Sequence, residues 1–292
     1  MTARPRIGFV GIGIMGAPMV RRFMAQGWPV AVWNLEADRY AEVPGATVLD
    51  SPAAVRAASD IVIFCVLHGE AVEQCCFGPH GMARAASGAT LLIDTSTINP
   101  DTTLALAERL KRETGMAWVD APISGGPVAA DDGHLTIMMG GADDDVARAS
   151  TVLTDLAANL THIGALGAGQ TAKIINQAIV GVGYVLMGET LALAEAAGID
   201  AARLPGALAG GMADSTVLRR IYPQQQSRDY VPPRSYARQL DKDLKNVMAF
   251  VKAHNLELPL LSRAVERYHA FAADNEMVDG AAVARLYEKP KS

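Results

Sequence analysis

Lys173 is the side chain best placed for proton transfer. It lies in the run Gly167-Ala168-Gly169-Gln170-Thr171-Ala172-Lys173-Ile174-Ile175-Asn176-Gln177. Asn176 and Gln177 follow at i+3 and i+4, so the three polar side chains share one helix face. Their helical neighbours are apolar. Such surroundings lower a lysine's proton affinity and suit it to acid–base work near neutral pH. A lysine at a helix start can equally snorkel to the surface. A second constellation is Asp120-Ala121-Pro122-Ile123-Ser124-Gly125-Gly126-Pro127. Its backbone N–H groups and the Ser124 hydroxyl could surround a small carboxylate, although the same residues also make an ordinary turn at a strand end. A third is Leu240-Asp241-Lys242-Asp243-Leu244, where Lys242 could reach toward a cleft or belong to a solvated helix face.

The fourth constellation is the most specific. Residues 6–10 form an apolar strand that runs into Gly11-Ile12-Gly13-Ile14-Met15-Gly16. In a G-x-G-x-x-G turn the first glycine allows the tight turn, the second lets the backbone approach a pyrophosphate, and the third lets helix and strand pack closely. The following helix offers free N–H groups and a partial positive charge to the anion. A strand before the turn, and a helix and second strand after it, strengthen this otherwise weak signal. The second strand ends at Asn34, where the fingerprint expects an acid. Asn34 can bind a ribose hydroxyl without repelling a 2′-phosphate. Leu35 follows with no adjacent arginine, and Glu36 disfavours a phosphate. The coenzyme is thus NAD or NADP.

These residues need a scaffold, and the chain supplies one. Short apolar runs at residues 6–10, 30–33, 60–65, 90–94, 117–119 and 135–139 alternate with amphipathic segments, the pattern of βαβ units. Ser51-Pro52 and Asn99-Pro100 pair an N-cap with a proline at the first helical position. After about residue 165 no alternating strand recurs. Residues 169–198 predict one long helix, apolar on most faces and so expected to be buried all round. Gly181, Gly183 and Gly188 in it suggest close approach of other helices. Further helices are expected at 201–209, 236–254 and 260–273, with the Gln- and Pro-rich stretch 222–235 as a loop. The expected architecture is an α/β Rossmann N-terminal domain (1–165), binding the dinucleotide, and an all-α C-terminal domain (166–292), joined by the long helix.

Composition narrows the partners. The chain has 292 residues, half of them hydrophobic, and a formal net charge of −5. No basic stripe is available for nucleic acid. The most apolar stretch, 178–197, contains Glu189 and Glu195 and reads as a protein core helix rather than a membrane span. Three cysteines, Cys65, Cys75 and Cys76, make no disulfide framework, and residues 4–16 lack signal-peptide character. A cytoplasmic location is expected. The six histidines show no paired ligand spacing, so no metal site is expected.

The four motifs, in this order, resemble those of the β-hydroxyacid dehydrogenase family, over nearly the whole chain. The glycine turn continues as Ala17-Pro18-Met19, a form more specific than the bare turn, and Asp94-Thr95-Ser96-Thr97 looks like the family segment that lines the cofactor. The resemblance implies hydride transfer between NAD(P) and a short β-hydroxyacid or semialdehyde. It implies that Lys173 is the general acid/base, that Asn176 and Gln177 orient substrate and lysine, and that Ser124, Gly125 and Gly126 hold the carboxylate. Leu67, His68, Ser96, Thr97 and Lys242 would contact the nicotinamide half. Asn176-Gln177 and the run from Gly210 to Leu218 are similar to the tartronate semialdehyde (2-hydroxy-3-oxopropionate) reductase branch. Alternatives are oxidation of 3-hydroxyisobutyrate, L-serine or a threonate-type acid, or a non-catalytic nucleotide sensor. Imine reductases share the architecture but usually replace the lysine. Where many relatives have proline this chain has His68. The resemblance also implies a homodimer or homotetramer.

Overall fold

The computed structural model describes residues 4–288; the outermost residues of the two expected domains, 1–3 and 289–292, lie outside them. The chain divides into two compact units, one ending at Lys173 and the other beginning at Ile174.

The first unit is a doubly wound α/β sandwich. Its strands are β1 (Ile7–Val10), β2 (Val30–Trp33), β3 (Thr47–Val48), β4 (Ile61–Phe64), β5 (Leu91–Asp94), β6 (Ala117–Asp120), β7 (Ile123–Ser124), β8 (Leu135–Gly140) and β9 (Ala157–Gly164). Its helices are α1 (Gly16–Ala25), α2 (Pro52–Ala58), α3 (Gly69–Phe77), α4 (Pro100–Thr114), α5 (Gly126–Asp131) and α6 (Asp143–Leu153). The strand order is β3-β2-β1-β4-β5-β6-β8-β7, with β9 paired to β8. β1 to β6 are mutually parallel, whereas β8 runs antiparallel to β6 and β7. The apolar runs are legible as buried strands because alternate residues feed two cores. Phe9, Ile63 and Ile93 pack on one face, and Val10, Phe64 and Leu92 on the other. Strand order reverses between β1 and β4, and in such sheets ligands bind at the carboxyl ends beside that reversal.

The second unit is helical. α7 (Ala168–Ala196) enters it from the first unit without a break and is followed by α8 (Leu204–Leu208), α9 (Thr216–Ser227), α10 (Ala237–Ala253) and α11 (Pro259–Ala273). Two expectations need correction here. Residues 222–227, expected in a loop, are helical, with Pro223 inside α9. Side-chain amides stabilise this end: Gln225 Nε2 donates to the Tyr184 carbonyl at 3.0 Å, and Gln224 Nε2 to the Asp229 carbonyl at 3.0 Å. Nor is α7 buried all round. Ile175, Ile179, Leu186 and Leu193 lie on an exposed stripe, with Ile179 66% and Leu193 70% accessible. The other faces of α7 are packed at its glycines. A Cβ on Gly181 would lie 2.4 Å from Leu244 of α10, and one on Gly183 2.8 Å from Val217 of α9.

Candidate active site

Three loops meet at the sheet's carboxyl edge, following β1, β4 and β5. Gly11 takes φ +101°, which a side chain would strain, and a Cβ there would lie 2.3 Å from the Cys65 carbonyl oxygen. A Cβ on Gly16 would lie 1.9 Å from the Gly11 oxygen, so the start of α1 sits directly on the turn. Gly13 is different: nothing lies within 4 Å of its virtual Cβ. α1 has no side-chain cap and no acid in its first turn. An open cradle above Gly13 and an uncapped helix start fit a dinucleotide pyrophosphate. Ile12, Ile14 and Met15 complete the turn.

Asn34 extends the β1–β2 ladder with its side chain. The Gly11 N–H donates to the Trp33 carbonyl at 3.0 Å, and the next amide, Ile12 N–H, donates to Asn34 Oδ1 at 2.6 Å. The other loops interlock through Ser96. Its Oγ accepts from Val66 N–H at 3.0 Å, and its own N–H donates to Asp94 Oδ1 at 3.0 Å. Thr97 follows in the same segment, and Leu67 is partly exposed after β4. His68 is the N-cap of α3. Its Nδ1 accepts from Ala71 N–H at 3.1 Å and also lies 3.0 Å from Glu70. One nitrogen cannot accept from an amide and donate to a carboxylate at once, so the two contacts are alternatives; the unprotonated Nδ1 makes the cap. This cap gives a local reason for histidine at position 68.

The carboxylate loop and the start of α7 are joined twice. Asp120 is fully buried. Its Oδ1 accepts from Gly167 N–H at 2.8 Å and its Oδ2 from Gln170 N–H at 2.7 Å. Burial pushes this carboxyl above the usual range, against the backbone N–H groups of Gly167, Gln170 and Gly169 that pull it down. Three residues on, the Ile123 carbonyl accepts from Lys173 Nζ at 2.7 Å. Gln170 fixes a third loop, donating to the Ser96 carbonyl at 2.8 Å and accepting from Ile98 N–H at 3.2 Å. Lys173 is 6% exposed, so it does not snorkel out. Ser124 pairs with Thr136 across β7–β8, and Gly125 and Gly126 take φ of +143° and +80°, turning the backbone into α5.

The second unit holds a separate polar chain. Asn176 Nδ2 donates to Gln177 Oε1 at 2.8 Å, Gln177 Nε2 donates to Asp243 Oδ2 at 2.6 Å, and Lys242 Nζ lies 3.1 Å from Asp243 Oδ1. Asp243 thus joins Lys242 to Gln177. Sequence reasoning assigned roles to neither Asp243 nor Asp120, although both lie inside the quoted motifs. The Gly210–Leu218 run is a self-braced turn. Asp214 accepts from Gly210 N–H at 2.9 Å, which holds its carboxyl below the usual range, and Ser215 caps α9. Among the described residues, no group of three His, Cys, Asp or Glu side chains could hold a metal ion.

Comparison with known proteins agrees with this geometry. Residues 6–164 match the NAD binding domain of 6-phosphogluconate dehydrogenase, and residues 167–287 match the domain described as NAD-binding of NADP-dependent 3-hydroxyisobutyrate dehydrogenase. The chain is 32% identical to 2-hydroxy-3-oxopropionate reductase of Escherichia coli, over 97% of each chain. It is also 32% identical to 3-hydroxyisobutyrate dehydrogenase of Pseudomonas aeruginosa, over 96% of this chain and 98% of that one. Among solved structures, Mycobacterium tuberculosis 3-hydroxyisobutyrate dehydrogenase with L-serine superposes with a TM-score of 0.87 at 30% identity, covering 98% of this chain and 100% of that one. With its Rossmann half, its helical half and its long α7, the chain belongs to the β-hydroxyacid dehydrogenase family, NAD(P)-dependent oxidoreductases acting on CH–OH groups.

Proposed function

We propose that this enzyme interconverts a short semialdehyde acid and its β-hydroxyacid, with 2-hydroxy-3-oxopropionate reduced to glycerate as the best reading. The observation that carries it is the bond from Lys173 Nζ to the Ile123 carbonyl, which fixes the amine one residue from the Ser124-Gly125-Gly126 turn. Lys173 delivers a proton to the substrate oxygen in reduction and removes it in oxidation. Ser124 and the amides of Gly125 and Gly126 hold the substrate carboxylate. Asn176 and Gln177 orient the substrate, with Gln177 itself held by Asp243. When bound, the coenzyme supplies or accepts the hydride. The glycine turn with Asn34 holds its adenosine and pyrophosphate portion, and Leu67, His68, Ser96, Thr97 and Lys242 its nicotinamide portion.

The branch rests on Asn176-Gln177 and on the likeness to the Escherichia coli reductase. The likeness to 3-hydroxyisobutyrate dehydrogenases is as high, and one structural relative carries L-serine. The test is therefore a comparative one. Nicotinamide absorbance is followed with tartronate semialdehyde, 3-hydroxyisobutyrate, L-serine and threonate, each with both coenzymes. The highest kcat/KM is expected for tartronate semialdehyde; a higher value for any other acid overturns the branch, and no turnover of any overturns the substrate class.

We further propose a cytoplasmic homo-oligomer, with residues 1–165 as the dinucleotide half and 166–292 as the substrate and assembly half. Ile175, Ile179, Leu186 and Leu193 of α7 would meet a second copy, since a stripe this apolar is unusual on a monomer's surface. Light scattering of Ile179→Glu/Leu186→Glu should show dissociation to monomers; an unchanged mass would exclude this face.

A further inference from the structure

The end of β2 carries an arrangement that bears on coenzyme choice. Asn34 stands where an acid usually meets the ribose, but its amide is already engaged. Oδ1 accepts from Ile12 N–H at 2.6 Å, and Nδ2 donates to the Glu36 carbonyl at 3.0 Å and to Glu36 Oε2 at 2.9 Å. The backbone of Asn34 is held as well: the Tyr40 hydroxyl lies 3.0 Å from both its N–H and its carbonyl. Asn34 is therefore a bracket that ties the Glu36 carboxylate to the glycine turn. An aspartate at position 34 could accept from Ile12, but it would repel Glu36 instead of donating to it.

We infer that Glu36, held by Asn34, reads the ribose 2′ position and makes this enzyme select NAD over NADP. This rests on the dinucleotide reading of the glycine turn. A carboxylate accepts a hydrogen bond from a ribose hydroxyl, whereas a 2′-phosphate adds about −1.5 to −2 charges beside it, taking the phosphorylated side chains as a guide. Among the described residues, the neighbouring arginines are already engaged with carboxylates. Arg39 of the turn Ala37–Glu42 already pairs with Glu42 at 2.7 Å and also faces Asp38 and Glu36. Arg21 pairs with Asp131 at 2.7 Å. Leu35, 79% exposed between Asn34 and Glu36, offers an apolar surface in place of the arginine a phosphate would need.

The test is equilibrium binding, read from the fluorescence of NADH and NADPH on the purified protein without substrate. The wild type should bind NADH at least about tenfold more tightly than NADPH, a difference of the size one unfavourable charge contact imposes. Glu36→Gln should bring the two dissociation constants to within about threefold, mainly by tightening NADPH. Glu36 is exposed, so this change spares the core. Asn34→Ala should weaken both coenzymes and narrow their ratio, because it frees Glu36 and the Ile12 amide together. Equal binding of both coenzymes by the wild type, or an unchanged ratio in Glu36→Gln, overturns the inference. Binding of neither coenzyme overturns the dinucleotide reading itself, and the inference with it.

Discussion

The starts of α1 and α7 are treated in opposite ways. α1 begins at Gly16 with no side-chain cap, no acid in its first turn and an open space above Gly13. α7 begins under a buried carboxylate, with Asp120 accepting from both Gly167 and Gln170. A helix N-terminus has unpaired N–H groups that some partner must satisfy. At α1 no side chain caps them, and at α7 Asp120 does. The difference fits the job of each helix. Under the proposed function α1 receives an anion that comes and goes, whereas α7 holds Lys173 at one place against the Ile123 carbonyl.

Removing the group that the capped end positions should have the largest effect. Lys173→Ala is expected to lower kcat by about 10²–10⁴-fold, the usual weight of a positioned acid–base group, with NADH affinity nearly unchanged. Full kcat in this variant would separate the capped end from catalysis. Next is Asp120→Ala, which strands two buried N–H groups at about 1–3 kcal/mol each. Urea unfolding should show a loss of about 2–6 kcal/mol, and kcat should fall while the NADH dissociation constant holds. A loss under about 0.5 kcal/mol, the scale of an ordinary surface change, would mean that water caps α7 equally well.

The open end should respond in the reverse manner. Gly13→Ala adds a methyl where no protein atom lies within 4 Å. Thermal unfolding should show stability kept or raised by about 0.4–1 kcal/mol, while the NADH dissociation constant rises by roughly tenfold or more, equivalent to about 1.4 kcal/mol. Unchanged NADH binding would mean that the space above Gly13 is not the pyrophosphate's. The smallest effect is a pH slope. Asp120 has a raised native pKa, so its protonated form is favoured by folding. Its contribution is fully present below the ordinary carboxylate pKa of about 3.9 and is lost as pH rises through the native value. The stability of the wild type relative to Asp120→Asn should therefore decline on going from pH 4 toward neutrality; a rise would reverse the assigned direction.

The same contrast explains what is legible in the amino-acid sequence. β1, β4 and β5 are continuous apolar runs because both faces are buried, and the glycine turn is visible because its constraints lie within six consecutive residues. The Asp120 cap joins residues 47 and 50 apart and leaves no periodic trace. The Asn34 bracket is similarly hidden, since Ile12 lies 22 residues away. Residues 222–227 of α9 read as a loop because of their Gln and Pro content, whereas Gln225 is buried and bonded to Tyr184. α7 is less buried than its pattern predicts for another reason. An apolar pattern gives the residue types on a helix, but not which of its faces the chain packs against.

The division between the two units falls inside an unbroken helix, between Lys173 and Ile174. Six residues of α7 on the near side are too few to stay helical alone, since isolated helices need about 12–15 residues. A natural joint for exchange between relatives therefore lies earlier, at residues 165–167, where the strand has ended and the helix has not begun. A recombinant spliced there would draw its coenzyme preference from one parent and its proton donor from the other. Under the proposed roles, the nucleotide and the chemistry would be inherited separately, and Asp120 is the contact that a foreign helix start would have to satisfy.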